Sequence, residues 1–100
     1  MSELKEQLLS KINNKQAKVG VVGLGYVGLP LAVEKANAGY ETIGFDVQDS
    51  KVNMVNNGEN YIGDVVDAEL KELVEAGRLK ATTDFSFIKL IQFVFAFQLH

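Results

Sequence analysis

Apolar residues in this chain fall in four short runs, separated by stretches with helical spacing. The predicted β-strands are residues 18–22, 40–45, 79–82 and 90–97, and all but the third of these segments are rich in β-branched and aromatic residues. The last run contains Phe93-Val94-Phe95-Ala96-Phe97, a continuous apolar segment typical of a strand buried on both faces. Strands that alternate with helices predict an α/β fold whose parallel sheet has right-handed crossovers.

The helical spacing between these runs predicts three helices, from Tyr26 to about Ala38, over Lys51–Asn56, and from Asp67 to a stop at Gly77. Asp49 or Ser50 is the predicted N-cap of the second helix. The third helix carries three glutamates between its apolar positions. We interpret them as a solvated face and not as paired catalytic carboxylates: Glu69, Glu72 and Glu75.

The first sixteen residues have a separate helical pattern. Leucine and isoleucine recur at helical spacing among lysines and glutamates, and Ser2 is a plausible N-cap. We predict an amphipathic helix over residues 1–16 that packs on the domain or on a partner. The main domain is then predicted to cover residues 17–100.

A glycine-rich segment joins the first strand to the first helix. Gly23, Gly25 and Gly28 have the spacing G-x-G-x-x-G, directly after the apolar run. In a dinucleotide site the first glycine allows a tight turn, the second lets a pyrophosphate approach the backbone, and the third lets the helix pack on the strand. Such a triplet is weak evidence alone, but a strand before it and a helix after it favour phosphate binding over an ordinary turn.

An acid follows the second predicted strand. Asp46 lies about 20 residues beyond the glycines, where a carboxylate that binds the ribose of NAD is expected. Since a 2′-phosphate would meet this negative charge, Asp46 favours NAD over NADP.

Composition excludes several other classes of site. The chain has no cysteine and a single histidine, His100, so disulfides, thiolate or histidine metal sites and Ser-His-Asp catalysis are not expected. A net charge of -3 argues against nucleic acid as a partner. No signal peptide is apparent, and the most apolar segment is interrupted by polar residues and too short for a membrane span. We therefore expect a cytoplasmic protein without a membrane segment.

The residues around the glycines are specific enough to indicate a family. The segment Gly23-Leu24-Gly25-Tyr26-Val27-Gly28-Leu29-Pro30-Leu31 resembles the opening motif of the UDP-glucose/GDP-mannose dehydrogenase family. The resemblance continues through Gly44-Phe45-Asp46-Val47 and covers roughly residues 17 to 88. Residues 61–65 and 77–85 are most similar to the branch that oxidises UDP-N-acetylhexosamines.

This resemblance implies a partial Rossmann fold of about four parallel strands, flanked by helices, with NAD as cofactor. Intact members oxidise the C6 alcohol of a nucleotide sugar to a carboxylate, through a thiohemiacetal and a thioester on a cysteine. Carried over by position, the residues that line the pyrophosphate would be Gly23, Leu24, Gly25, Tyr26, Val27 and Gly28. Asp46 would bind the adenosine ribose, and Lys51 would lie beside it. The competing interpretation of Tyr26 is a ring that packs on its own helix, and that of Lys51 is an ordinary solvated lysine.

The family pattern stops near Leu90. Members continue from the fourth strand into a Cys-Val-Pro-Thr-Pro-type turn, whereas this chain reads Phe97-Gln98-Leu99-His100. We expect this tail to come from a frameshifted or truncated reading frame. The 100 residues contain neither the nucleophilic cysteine nor a sugar-binding domain, so we expect no catalytic residue here and no oxidation by this chain alone.

Three functions therefore remain open from the sequence. The first is the NAD-binding portion of a nucleotide-sugar dehydrogenase, whose sugar substrate binds only in the intact enzyme. The second is a non-enzymatic, structural protein with a vestigial Rossmann fold. The third is another Rossmann class, such as a methyltransferase or an epimerase, against which the Tyr-Val-Gly-Leu-Pro continuation argues. An uncovered sheet edge predicts self-association into a homo-oligomer.

Overall fold

The computed structural model of the chain describes residues 17–63, 65 and 67–97. The predicted N-terminal helix over residues 1–16, with its Ser2 cap, lies outside the described residues. The boundary between that extension and the main domain stays a prediction.

Helices and strands alternate along the described chain. In order they are β1 (Lys18–Val22), α1 (Gly28–Asn37), β2 (Glu41–Phe45), α2 (Asp49–Asn56), α3 (Asp67–Glu75), β3 (Leu79–Thr82), a 3₁₀ helix (Phe85–Leu90) and β4 (Phe93–Ala96). The α/β class and the predicted strands at residues 18–22 and 79–82 are confirmed.

The four strands form one parallel sheet with the order β3-β2-β1-β4. Since β1 lies between β2 and β4, the chain crosses over from one side of β1 to the other after β3. The carboxyl end of β1 therefore lies at a topological switch point, the place where open α/β sheets bind their ligands.

One face of the sheet carries the main core. Alternate residues of the central strands, such as Val19 and Val21, are buried in a single cluster with apolar residues of all three α-helices. The helical members that are no more than 1% exposed are Leu29, Ala32, Ala36, Val55 and Leu70. Small residues on α1 let this helix lie close to β1 and β2, which fixes where its N-terminus lies.

The opposite face has a thinner cover. Phe45 of β2 is fully buried there, and its ring lies 5.6 Å from that of Phe85 in the 3₁₀ helix. Asp84 caps this helix, since its carboxylate accepts hydrogen bonds from the N–H and the hydroxyl of Ser86.

Two predictions about helices require correction. The first helix begins at Gly28 and not at Tyr26, so residues 26 and 27 belong to the turn. The second begins at Asp49 with Gln48 at the N-cap position, so neither Asp49 nor Ser50 is the cap. The acid that holds this turn is Asp46, which accepts a hydrogen bond from the Gln48 N–H at 2.9 Å.

The last strand is shorter and more exposed than predicted. β4 covers Phe93–Ala96, whereas Leu90 ends the 3₁₀ helix. Its side chains are exposed on both faces, with Phe93 at 42%, Val94 at 46% and Phe95 at 37%. The prediction of burial on both faces is wrong because β4 is the edge strand of the described sheet, and nothing described beyond it covers its faces.

Candidate cofactor site

The loop from β1 to α1 leaves the carboxyl end of the central strand in a tight turn. Gly23 has a φ of +93°, a conformation that a side chain would strain, and its N–H donates to the Phe45 carbonyl at 2.8 Å. The loop residues 23–28, here called the glycine loop, are thereby fixed to the end of β2.

The second and third glycines have opposite surroundings. A Cβ on Gly28 would lie 1.5 Å from the carbonyl oxygen of Gly23, so only glycine lets α1 start this close to β1. A Cβ on Gly25 would meet no described atom within 4 Å. Gly28 therefore serves the packing of the protein, while the absence of a side chain at Gly25 leaves room for a ligand.

The start of α1 offers unpaired hydrogen-bond donors. The first helical bonds run from the Leu29 N–H to the Gly25 carbonyl at 3.1 Å and from the Leu31 N–H to the Val27 carbonyl at 3.2 Å. Within the described chain, no acceptor meets the N–H groups of residues 25–28. Four free N–H groups at the positive end of a helix dipole suit an anion such as a phosphate.

A cleft of about 500 Å³ opens over the glycine loop. The residues that line it are Gly23, Gly25, Tyr26, Val27, Gly28, Lys51, Tyr61, Ile62 and Phe97. Tyr26 and Val27 are exposed by 83% and 60%, and Lys51 adds a positive charge from α2. Of the predicted site residues, only Leu24 and Asp46 are absent from the wall.

Leu24 is fully buried, and its side chain belongs to the hydrophobic core. Its backbone, by contrast, is held in two hydrogen bonds. The N–H donates to Asp46 Oδ2 at 2.9 Å, and the carbonyl accepts from the Tyr61 hydroxyl at 2.7 Å. Leu24 thus anchors the glycine loop rather than presenting a side chain to a ligand.

Asp46 lies under the glycine loop and is only 1% exposed. One carboxylate oxygen accepts from the Leu24 N–H and the other from the Gln48 N–H, both at 2.9 Å. The acid therefore joins the glycine loop to the turn before α2. Its predicted contact with a ribose stays a prediction.

Tyr61 lines the cleft and was missed as a site residue by the sequence reasoning. Burial raises the pKa of its hydroxyl above the ordinary value, and the negative charge of Asp46 raises that pKa further. The hydroxyl consequently keeps its proton and remains a donor to the Leu24 carbonyl. The sequence signal was faint: a single aromatic residue after the polar loop Asn56-Asn57-Gly58-Glu59-Asn60.

Comparison with known proteins decides the family. Residues 17–95 match the UDP-glucose/GDP-mannose dehydrogenase family, NAD binding domain. The chain belongs to this family. The matched part is its NAD-binding domain, so NAD is the cofactor that the family implies, and the methyltransferase and epimerase alternatives fall.

Individual relatives agree with this assignment. UDP-N-acetyl-D-mannosamine dehydrogenase of Pyrococcus horikoshii is 38% identical over 66 residues, which are 65% of this chain and 16% of the relative. GDP-mannose 6-dehydrogenase of Pseudomonas syringae pv. syringae is 36% identical over 73 residues, 69% of this chain and 16% of the relative. This chain therefore spans less than a fifth of the length of these curated relatives.

A solved structure of GDP-mannose dehydrogenase from Pseudomonas aeruginosa, a ternary complex, superposes with a TM-score of 0.75 at 32% identity. The superposition covers 80% of this chain and 19% of the other. The four-stranded parallel sheet with its helices is therefore the Rossmann-like N-terminal fold of this family. In the part of the chain that the structure describes, no helix has the length and apolarity to cross a membrane.

Proposed function

We propose that the cleft over the glycine loop binds the ADP half of NAD(H), as part of an enzyme that oxidises a nucleotide sugar. The proposal is carried by one observation. At the start of α1 the four N–H groups of residues 25–28 have no acceptor among the described residues, and Gly25 has no side chain and open space beside it. A pyrophosphate fits such a site because it needs donors, a positive dipole end and close approach to the backbone.

We assign roles toward the other parts of the cofactor to Lys51, which lines the cleft, and to Asp46, which lies behind the glycine loop. Lys51 lines the cleft from α2, where its positive charge attracts the phosphates and its position beside the ribose follows the family pattern. Asp46 holds the glycine loop through its two acceptor bonds and also brings negative charge to the end of β2. We assign to that charge the preference for NAD over NADP, since a 2′-phosphate would be repelled by it.

We infer the reaction from the family and from the names of its members. Bound NAD⁺ supplies the acceptor for hydride from a sugar alcohol. The relatives include GDP-mannose 6-dehydrogenases at 34–37% identity and UDP-N-acetyl-D-mannosamine dehydrogenases, three of which are 51–55% identical over 42–45 residues. The higher identity over this segment supports a UDP-N-acetylhexosamine as the sugar substrate. In that reaction these residues bind and orient the cofactor, while the thiol comes from elsewhere, because the 100 residues contain no cysteine. We accordingly expect this chain alone to bind NAD and not to oxidise nucleotide sugars. We also expect it to lie in the cytoplasm.

Calorimetric titration with NAD⁺ tests the proposal. A Gly25→Ala variant places a methyl group where the pyrophosphate would approach, although no described atom of the protein opposes it. We expect weak binding by the unmodified chain and at least about tenfold weaker binding by Gly25→Ala, the equivalent of roughly one hydrogen bond to a charged group.

Gly63→Ala is the matched control, because a Cβ at Gly63 also meets no described atom within 4 Å and Gly63 does not line the cleft. It should bind NAD⁺ like the unmodified chain. Equal binding by all three chains, or no binding by any of them, would refute the proposed site.

Self-association is a second proposal and rests on β4. This edge strand exposes Phe93, Val94 and Phe95, and no described strand pairs with the backbone groups along its outer side. Edges of this kind pair with a second strand. We expect light scattering to show a mass that rises with concentration, and Val94→Lys to lower it toward the monomer. A monomer at every concentration would contradict this proposal.

A further inference from the structure

The peptide between Leu24 and Gly25 is held in one orientation by Tyr61. The Tyr61 hydroxyl donates to the carbonyl of this peptide at 2.7 Å. A trans peptide is planar, and its carbonyl and N–H point in opposite directions. The hydroxyl therefore also fixes the direction of the Gly25 N–H, which belongs to the same peptide and has no acceptor among the described residues.

The start of α1 lies beside this hydrogen bond. Gly28 is the first residue of the helix, so its N–H has no acceptor within the helix. The Leu24 carbonyl, four residues before it, accepts from the Tyr61 hydroxyl, and no bond from the Gly28 N–H to it is present. Helical bonding begins one residue later, at the Leu29 N–H. The Gly28 donor thus stays available at the helix end.

Neighbouring contacts make this arrangement rigid. Asp46 holds the preceding peptide through the Leu24 N–H at 2.9 Å, so two successive peptides are fixed by side chains from two other segments. The Tyr61 ring packs against the hydrophobic core, and its loop is tied down where the Asn60 carboxamide oxygen accepts from the Ile62 N–H at 2.9 Å. The raised pKa of the hydroxyl keeps its proton in place across the neutral range.

We propose that Tyr61 is a positioning residue for the phosphates of the cofactor: its hydroxyl holds the Leu24 carbonyl, and this fixes the Gly25 N–H in the orientation that an anion needs, beside the Gly28 N–H, which has no described acceptor. The inference rests on the proposed NAD site. It adds that recognition of the pyrophosphate depends on a side chain from the loop before α3, outside the glycine motif.

Tyr61→Phe removes only the hydroxyl and leaves the ring that lines the cleft. Titrations of this variant with NAD⁺, ADP and adenosine separate the phosphate contacts from the rest of the site. We expect NAD⁺ and ADP to bind about three- to tenfold more weakly, the range that one lost hydrogen bond accounts for, and adenosine to bind as before. Tyr40→Phe is the matched control, a half-buried tyrosine that packs against the same core away from the cleft. It should bind all three ligands like the unmodified chain.

The outcomes distinguish this inference from the proposal beneath it. Unchanged NAD⁺ affinity in Tyr61→Phe would overturn the positioning role and leave the NAD site standing. An equal loss for adenosine would also overturn it, because a damaged wall and not a misplaced N–H would then be the cause. No binding of NAD⁺ by the unmodified chain would overturn both proposals.

A measurement on the unmodified chain covers the case in which Tyr61→Phe does not fold. The ¹³C chemical shift of the Leu24 carbonyl reports whether it accepts a hydrogen bond, with and without NAD⁺. We expect the shift of a hydrogen-bonded carbonyl in both states. The shift of an unbonded carbonyl would overturn the proposal.

Discussion

Replacing Asp46 with asparagine tests how far the structure depends on this acid. Asp46 is 1% exposed, and its two oxygens accept hydrogen bonds from the N–H groups of Leu24 and Gln48, each at 2.9 Å. Asparagine has nearly the same shape but only one acceptor atom, because the other position becomes an NH₂ group. One of the two backbone N–H groups must then face a second donor inside the protein.

The loss follows from the two bonds. A hydrogen bond to a charged group contributes about 1.5–3 kcal/mol, and a buried donor left without a partner adds a further cost. We therefore expect Asp46→Asn to lower the free energy of unfolding by about 3 kcal/mol. For a domain of this size that corresponds to a fall in Tm of roughly 10 °C or more.

Urea denaturation followed by circular dichroism measures this change. Asp49→Asn is the control, since it removes the same charge from an exposed acid in the first turn of α2. The control should lie within about 0.5 kcal/mol of the unmodified chain. If Asp46→Asn were as stable as the control, the acid would not anchor the glycine loop, and its role would be limited to binding a ligand.

Three further predictions address the glycine loop, Tyr61 and the edge of the sheet. Gly28→Ala should destabilise the fold by about 3 kcal/mol or prevent folding, because its Cβ would lie 1.5 Å from a backbone oxygen, whereas Gly25→Ala should stay within about 0.5 kcal/mol in the same urea assay. The free energy of unfolding should decline as the pH rises above about 10, because folding raises the pKa of Tyr61 and the unfolded chain therefore loses this proton first. In urea titrations between pH 8 and 11, the free energy of unfolding of Tyr61→Phe should decline less steeply. Asn56→Ala should lower the free energy of unfolding by about 2 kcal/mol, because the Asn56 carboxamide donates to the Ala81 carbonyl at 2.9 Å and accepts from the Ala81 N–H at 2.8 Å. Asn53→Ala, on the exposed side of the same helix, should change it little. An unchanged midpoint for Gly28→Ala, parallel alkaline declines, or equal stability of the two asparagine variants would each contradict the corresponding contact.

Local pattern was enough to predict most of the fold. The strands β1 and β3 begin and end at the predicted residues. β1 contains an apolar run that Gly23 ends, and β3 has apolar residues at alternate positions between polar ones. The parallel direction of the strands was predicted from their alternation with helices. The burial of β4 was mispredicted for a physical reason. Apolar side chains favour burial, but whether they are buried depends on which elements pack beside the strand.

The site was predictable in part, for a related reason. The glycine spacing carries a direct steric requirement, and the structure shows it at Gly23 and Gly28. The hydrogen bond from Tyr61 to Leu24 joins residues 37 positions apart, and no local pattern encodes it. Asp46 was identified from its separation from the glycines along the sequence. Its two hydrogen bonds to backbone N–H groups, however, depend on how β2 and the glycine loop meet in three dimensions.

Amide chemical-shift mapping with NAD⁺ tests the central claim most directly. In ¹H–¹⁵N spectra of the full chain, NAD⁺ should cause its largest shifts at the amides of residues 25–28, whose N–H groups have no acceptor in the described structure. Shifts centred on another surface, or a spectrum unchanged by NAD⁺, would contradict the assignment of the glycine loop as the cofactor site.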